Sequence, residues 1–159
     1  MNPFKAFFLI GIFSVTLFAA KQLQIEADSF EGNEKSGRSV FEGHVKIRMG
    51  RDELNASRVE VYTDAERRPV KYVADGNASF FLETDDNATY RGRADKVVFK
   101  PLEQEYRFFG DVHLMQIDEH KQIDGEEVVV NIKKGTAKAK GARDQPVIMI
   151  FNLPEKERK

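Results

Sequence analysis

His44, His113 and His120 are the side chains in this sequence best suited to ligate a metal or carry a proton. Zinc sites take their ligands from His, Cys, Asp and Glu at short, patterned spacings. No such spacing links these histidines, and the chain has no cysteine to contribute a thiolate. His44 and His113 fall on the polar side of segments that alternate in polarity, and His120 lies in a charged turn. Each is therefore read as a solvated side chain. Acidic pairs at Asp85-Asp86 and Glu126-Glu127 invite comparison with glycosidases. Those enzymes need two carboxylates that face one bond, whereas adjacent acids on a strand or turn point apart. Nucleophile elbows, phosphate loops and dinucleotide fingerprints are all missing. The expectation is a non-enzymatic chain with no catalytic residue, no metal and no cofactor.

Charge narrows the partners further. The 25 basic and 26 acidic side chains leave a net charge of −1, so no nucleic-acid footprint is present. One basic stretch, Lys133-Lys134 followed by Lys138 and Lys140, could meet an anionic surface. Lysines also blunt exposed sheet edges, and that reading is preferred.

With polar chemistry set aside, the apolar residues and the elements that position them carry the information. The first segment sets the compartment. Residues 1–5 hold one cation, residues 6–18 are almost wholly apolar, and Ala19-Ala20 precede the polar Lys21-Gln22. This is the layout of a secretory signal peptide, and the apolar run is shorter than the roughly 20 residues that span a bilayer. Leu17 and Phe18 are bulky for a cleavage site, so an uncleaved anchor stays open as the alternative. The expected organisation is a leader over 1–20, one domain over 21–151 and a charged tail over 152–159. Without Lys5 the mature chain has 24 basic and 26 acidic residues, a net charge of −2.

The rest of the chain alternates with period two, the mark of strands with one buried face. Phe41-Glu42-Gly43-His44-Val45-Lys46-Ile47-Arg48 is a clear case. Gly- and Asn-rich turns separate such runs, which predicts an all-β architecture of sandwich, jelly-roll or barrel type. Two motifs interleave. An apolar-x-Gly-x-(Val/Ala) strand centres on Gly43, Gly76 and Gly110 with a weaker echo at Gly141, spaced by 33, 34 and 31 residues. A small-polar motif begins at Ala27, Ala56, Ala94 and Gly125, spaced by 29, 38 and 31. The pattern reads as four copies of one unit.

Parity slips by one residue at every small-polar motif. Leu54 and Ala56 share a face with Val59 and Val61 only if the strand bends or bulges between them. A slip in all four copies predicts a corner, where each strand passes from one sheet into the facing one. The glycine strands show no slip, so their Gly is expected to point inward. There it either lets two sheets approach or clears space for a ligand. The expected interior set is Val45, Ile47, Val59, Val61, Phe80 and Val97, continued by Phe99, Phe108, Val112, Leu114 and Val128. The segment 147–151 is apolar on both faces, which needs cover on both sides. It is expected either to close the core or to dock another subunit, with 25–27 and 128–132 as the other candidate edges.

The order of these pieces resembles the OstA-like family, the β-jelly-roll domain of bacterial lipopolysaccharide transport. The resemblance rests on Ile25-Glu26-Ala27-Asp28-Ser29, Phe41-Glu42-Gly43-His44-Val45 and Leu54-Asn55-Ala56-Ser57-Arg58-Val59. Ala74-Asp75-Gly76-Asn77-Ala78, Phe109-Gly110-Asp111-Val112 and Ile123-Asp124-Gly125 complete it. It covers roughly residues 22 to 131. His44 and Asp111 stand where the family often has Asn, and the chain after Gly141 matches poorly. The resemblance implies an open, twisted antiparallel β-jelly roll built from repeated strand pairs, whose two sheets diverge around an apolar groove. It implies a periplasmic protein that binds the lipid A part of lipopolysaccharide there, with the eleven interior residues in contact with lipid. It also implies head-to-tail self-association, with an LptC-like inner-membrane protein and an LptD-like outer-membrane barrel as partners. A membrane-anchored relative of the same fold and a ligand-free structural β-repeat protein remain as alternatives.

Overall fold

Every regular element among the described residues, 22–83 and 87–153 of a computed structural model, is a β-strand. The expected leader and cleavage site, the Asp85-Asp86 pair and the last residues of the charged tail lie outside them. The strands are β1 (Leu23–Glu26), β2 (Ser29–Asn33), β3 (Arg38–Met49), β4 (Asp52–Thr63) and β5 (Pro69–Glu83). They continue with β6 (Thr89–Lys100), β7 (Glu105–Gln116), β8 (Lys121–Asn131), β9 (Thr136–Lys140) and β10 (Ile148–Ile150). All pair antiparallel in the order β1-β3-β4-β5-β6-β7-β8-β10, with β2 also on β3 and β9 also on β8. Short turns make this meander possible. Met49 pairs with Asp52 across the two-residue loop Gly50-Arg51, where Gly50 takes φ +62°.

Each long strand bends in its middle, and the glycines show how. Glu42 pairs with Arg58 and Val45 with Ala56, so Gly43 and His44 together oppose the single residue Ser57. Gly76-Asn77 oppose Asp95, and Gly110-Asp111 oppose Glu126, in the same two-against-one way. These are β-bulges. Gly43, Gly76 and Gly110 hold φ of +81°, +82° and +79°, and His44, Asn77 and Asp111 follow at +47°, +48° and +45°. The expectation for the glycines is therefore corrected: they do not clear interior volume. They permit left-handed backbone, and a Cβ on each would strike the preceding small-polar motif, at 2.2 Å from Asp28 Oδ2, 2.6 Å from Ser57 and 2.3 Å from Asp95 Oδ2. The slip lies where the sequence puts it, and the extra residue belongs to the glycine strand. Gly141 has no positive φ and follows β9, so the fourth echo is not a bulge.

The bends divide the sheet into two leaves. The first comprises β2, β9 and residues 38–42, 58–63, 69–75, 96–100, 105–109 and 127–131. The second comprises β1, β10 and residues 45–49, 52–56, 78–83, 89–94, 112–116 and 121–125. Phe80 of the second leaf stacks on Phe108 of the first at 5.2 Å although β6 separates their strands, so the leaves face each other. Val45, Val59, Val112 and Val128 are at most 1% exposed and fill the fold of the bend. Each such burial stabilises by about 1.5–3 kcal/mol.

Two edge expectations are settled here. Residues 128–132 are not a free edge, because β9 pairs along 127–131. β10 pairs with residues 122–124 of β8 and stays half exposed, with Ile148, Met149 and Ile150 near 50%. It is the last strand, and among the described residues both of its faces stay half exposed.

Candidate functional site

Following the pairing register across the strands turns the inner faces into tiers. Next to the bend, the first leaf presents Phe41, Val59, Ala74, Val97, Phe108 and Val128, and the second presents Val45, Ala56, Ala78, Ala94 and Val112. All are buried. One register step further out, Val61, Tyr72, Phe99, Tyr106 and Val130 line the first leaf. Ile25, Ile47, Leu54, Leu114 and Ile123 line the second. Ser39 shares the first row, and Phe80 and Gly92 share the second between Leu54 and Leu114; Phe80 is buried, and the other outer-tier residues are only half buried. The interior is thus sealed at the bend and accessible beyond it, along an apolar surface that runs from one sheet edge to the other.

The eleven interior residues expected from the sequence all lie on the inner faces, but in two environments. Val45, Val59, Phe80, Val97, Phe108, Val112 and Val128 are buried core. Ile47, Val61, Phe99 and Leu114 belong to the half-open tier. Ile25, Leu54, Tyr72, Tyr106, Ile123 and Val130 share that tier and were not among the eleven. Their signal was the same parity, which places a residue on a face but is silent about depth.

An aromatic run crosses the first-leaf wall. Phe99 stacks on Tyr72 at 5.9 Å and on Tyr106 at 4.3 Å, and Tyr106 lies 6.2 Å from Phe108. Burial raises the pKa of both tyrosines, and for Tyr106 the Asp52 carboxylate of the facing leaf adds to it. Both rings are neutral at physiological pH.

Paired charges line the outer faces. Glu60 accepts hydrogen bonds from Arg38 at 3.0 Å and from the Tyr62 hydroxyl, which pull its pKa down to about 2. His44 bonds Asp28 at 2.8 Å, and His113 bridges Asp111 and Asp124. These histidines stand on the polar side, as expected. Among the described residues no three His, Asp or Glu converge as metal ligands would. A trench of about 410 Å³ also crosses the solvent face of the second leaf, between the rows of Phe81, Arg91 and Met115 and of Ser79, Arg93 and His113. Its lining also reaches Phe80, Gly92 and Leu114 of the row between them.

Residues 24–136 match the family described as LptA/(LptD N-terminal domain) LPS transport protein. No curated protein matches the sequence. Among solved structures the chain is similar to LptH, described as the LptA homologous periplasmic component of the conserved lipopolysaccharide transport device from Pseudomonas aeruginosa. The TM-score is 0.71 at 16% identity, over 84% of this chain and 96% of that one. At that identity the likeness is one of fold.

Proposed function

The chain belongs to the LptA/(LptD N-terminal domain) family of LPS transport proteins, and from that premise we propose that it carries lipopolysaccharide across the periplasm between the two leaves of its bent sheet. The observation that carries this reading is the outer tier. It offers an apolar wall that is half open and continuous from edge to edge. Acyl chains gain about 0.8 kcal/mol for each methylene taken from water, so such a wall lets a lipid cross an aqueous compartment without leaving apolar contact. The mechanism is binding and hand-over, with no covalent step, and it calls on no cofactor.

Hand-over requires modules in line. β1 and β2 form one edge of the sheet and β9 and β10 the other. An unpaired edge invites strand addition, which would align the interior walls of successive modules. In this reading the neighbours are further copies of the chain, an LptC-like inner-membrane protein and an LptD-like outer-membrane barrel. A leader cleaved after Ala20 delivers the domain to the periplasm.

A photo-crosslinking residue at Leu114 or Phe99 should capture lipopolysaccharide in cells, whereas one at Lys46 or Arg107 on the outer face should not. Equal capture from both faces, or none from the outer tier, would leave a ligand-free scaffold. Fractionation of a tagged chain separates a soluble periplasmic protein from a membrane-anchored relative.

A further inference from the structure

Polar groups interrupt the interior wall at a few points: Ser39, Tyr72 and Tyr106 on the first leaf and Asp52 on the facing one. Tyr72 and Tyr106 sit in the half-open tier on either side of Phe99. A tyrosine placed against apolar neighbours usually finds a hydrogen-bond partner for its hydroxyl. Tyr62 on the outer face does so, donating to Glu60. Among the described residues, neither the Tyr72 nor the Tyr106 hydroxyl makes a hydrogen bond to protein. A filled hydrophobic core has no use for these two oxygens, and phenylalanine would pack the same stack. The pair is therefore better explained by a ligand than by folding.

We infer that Tyr72 and Tyr106 are specificity-determining residues, whose hydroxyls bond the acyl-linkage carbonyls at the junction between the chains and the sugar of the bound amphiphile. This deepens the function proposed above and rests on it. The placement fits the chemistry. Acyl chains occupy the apolar tier, while carbonyl oxygens of ester and amide linkages need donors where that tier meets water. Neutral phenols supply donors there without the desolvation that a charged group would suffer. Phe99 between them offers a ring face to the sugar or to the first methylenes. The two hydroxyls thus set how deep the amphiphile sinks and distinguish an acylated headgroup from a plain hydrocarbon.

The test compares two ligands on the purified full chain. One is a fluorescent lipid A, rich in acyl carbonyls. The other is N-phenyl-1-naphthylamine, an apolar fluorophore with no carbonyl. Tyr72→Phe and Tyr106→Phe keep the rings, and thermal melts check that they keep the fold. Each should weaken lipid A binding about fivefold, the scale of one hydrogen bond, and leave the fluorophore unchanged. Phe99→Ala should weaken both ligands. An unchanged ratio of the two affinities in the phenylalanine variants overturns the inference, whether both affinities hold or both fall. Failure of the native chain to bind lipid A would instead remove the transport reading beneath it.

Discussion

Val112 and Met115 lie three residues apart on β7 and show how steeply the environment changes along one strand. Val112 is 1% exposed at the bend, and Met115 is 43% exposed on the solvent face. Val112→Asp places an unpaired carboxylate in the core, which costs several kcal/mol, a large part of a domain's stability. Met115→Asp should stay within about 0.5 kcal/mol. Urea denaturation midpoints measure both, and equal losses would mean the faces are assigned wrongly. His113 would be a poor exposed control, because it bridges Asp111 and Asp124 and a third carboxylate there would repel both. Glu60 carries a different signature. Its pKa falls from 4.5 to about 2 in the folded chain, through Arg38 first and then Tyr62. The folded state is thus favoured above the ordinary carboxylate value, and this contribution is lost as pH falls from about 4.5 toward about 2. Melting temperature should drop across that window. Glu60→Gln should remove roughly 1–2 kcal/mol of the pH-dependent part, allowing for the exposed Arg38.

At the level of elements, the bulges decide the shape. Gly110→Ala meets both a positive φ and the Asp95 side chain. We expect a loss of about 2–3 kcal/mol, of which roughly 1 kcal/mol is backbone strain. The second change Asp95→Gly should recover the collision but not the strain, and chemical denaturation of the double variant reads the difference. The residue after each bulge glycine is also left-handed, a region that Asn tolerates best among residues with a Cβ. Asn77 already fits. His44→Asn should therefore be neutral or stabilising by up to about 1 kcal/mol, even though it removes the exposed contact with Asp28. A larger loss would show that the imidazole–carboxylate pair, and not the backbone, holds that corner. The Asn pattern noted around these glycines in the sequence thus acquires a conformational cause.

For the whole molecule, the two ends of the first leaf differ in charge. Register places Glu31 of β2 on the outer face, and Lys138 and Lys140 of β9 on the same face at the other end. If copies add head to tail through these edges, opposite charges meet. Lys138→Glu with Lys140→Glu should weaken self-association about tenfold, from two exposed contacts of up to about 1 kcal/mol each. Adding Glu31→Lys should restore part of it. Raised salt should weaken the native association in the same way. Light scattering over a concentration series reads all three. Indifference to charge reversal and to salt would move the joint to β1 and β10, where Ile148 and Ile150 offer an apolar edge.

Strand identity, the inner face of each strand and the position of the corners were all legible in the sequence, because each follows from local alternation. The slip between Ala56 and Val59 needs no knowledge of the partner strand. Three matters were decided only by the folded sheet. Whether Gly43 empties the interior or permits a bulge depends on φ and on Asp28, which pairing brings opposite it. That residues 128–132 are covered depends on β9 folding back along β8. And Val59 differs from Val61 in exposure because the facing leaf closes over the bend and leaves the next tier half open. Alternation tells a side chain which way to point, but depth is set by what stands opposite.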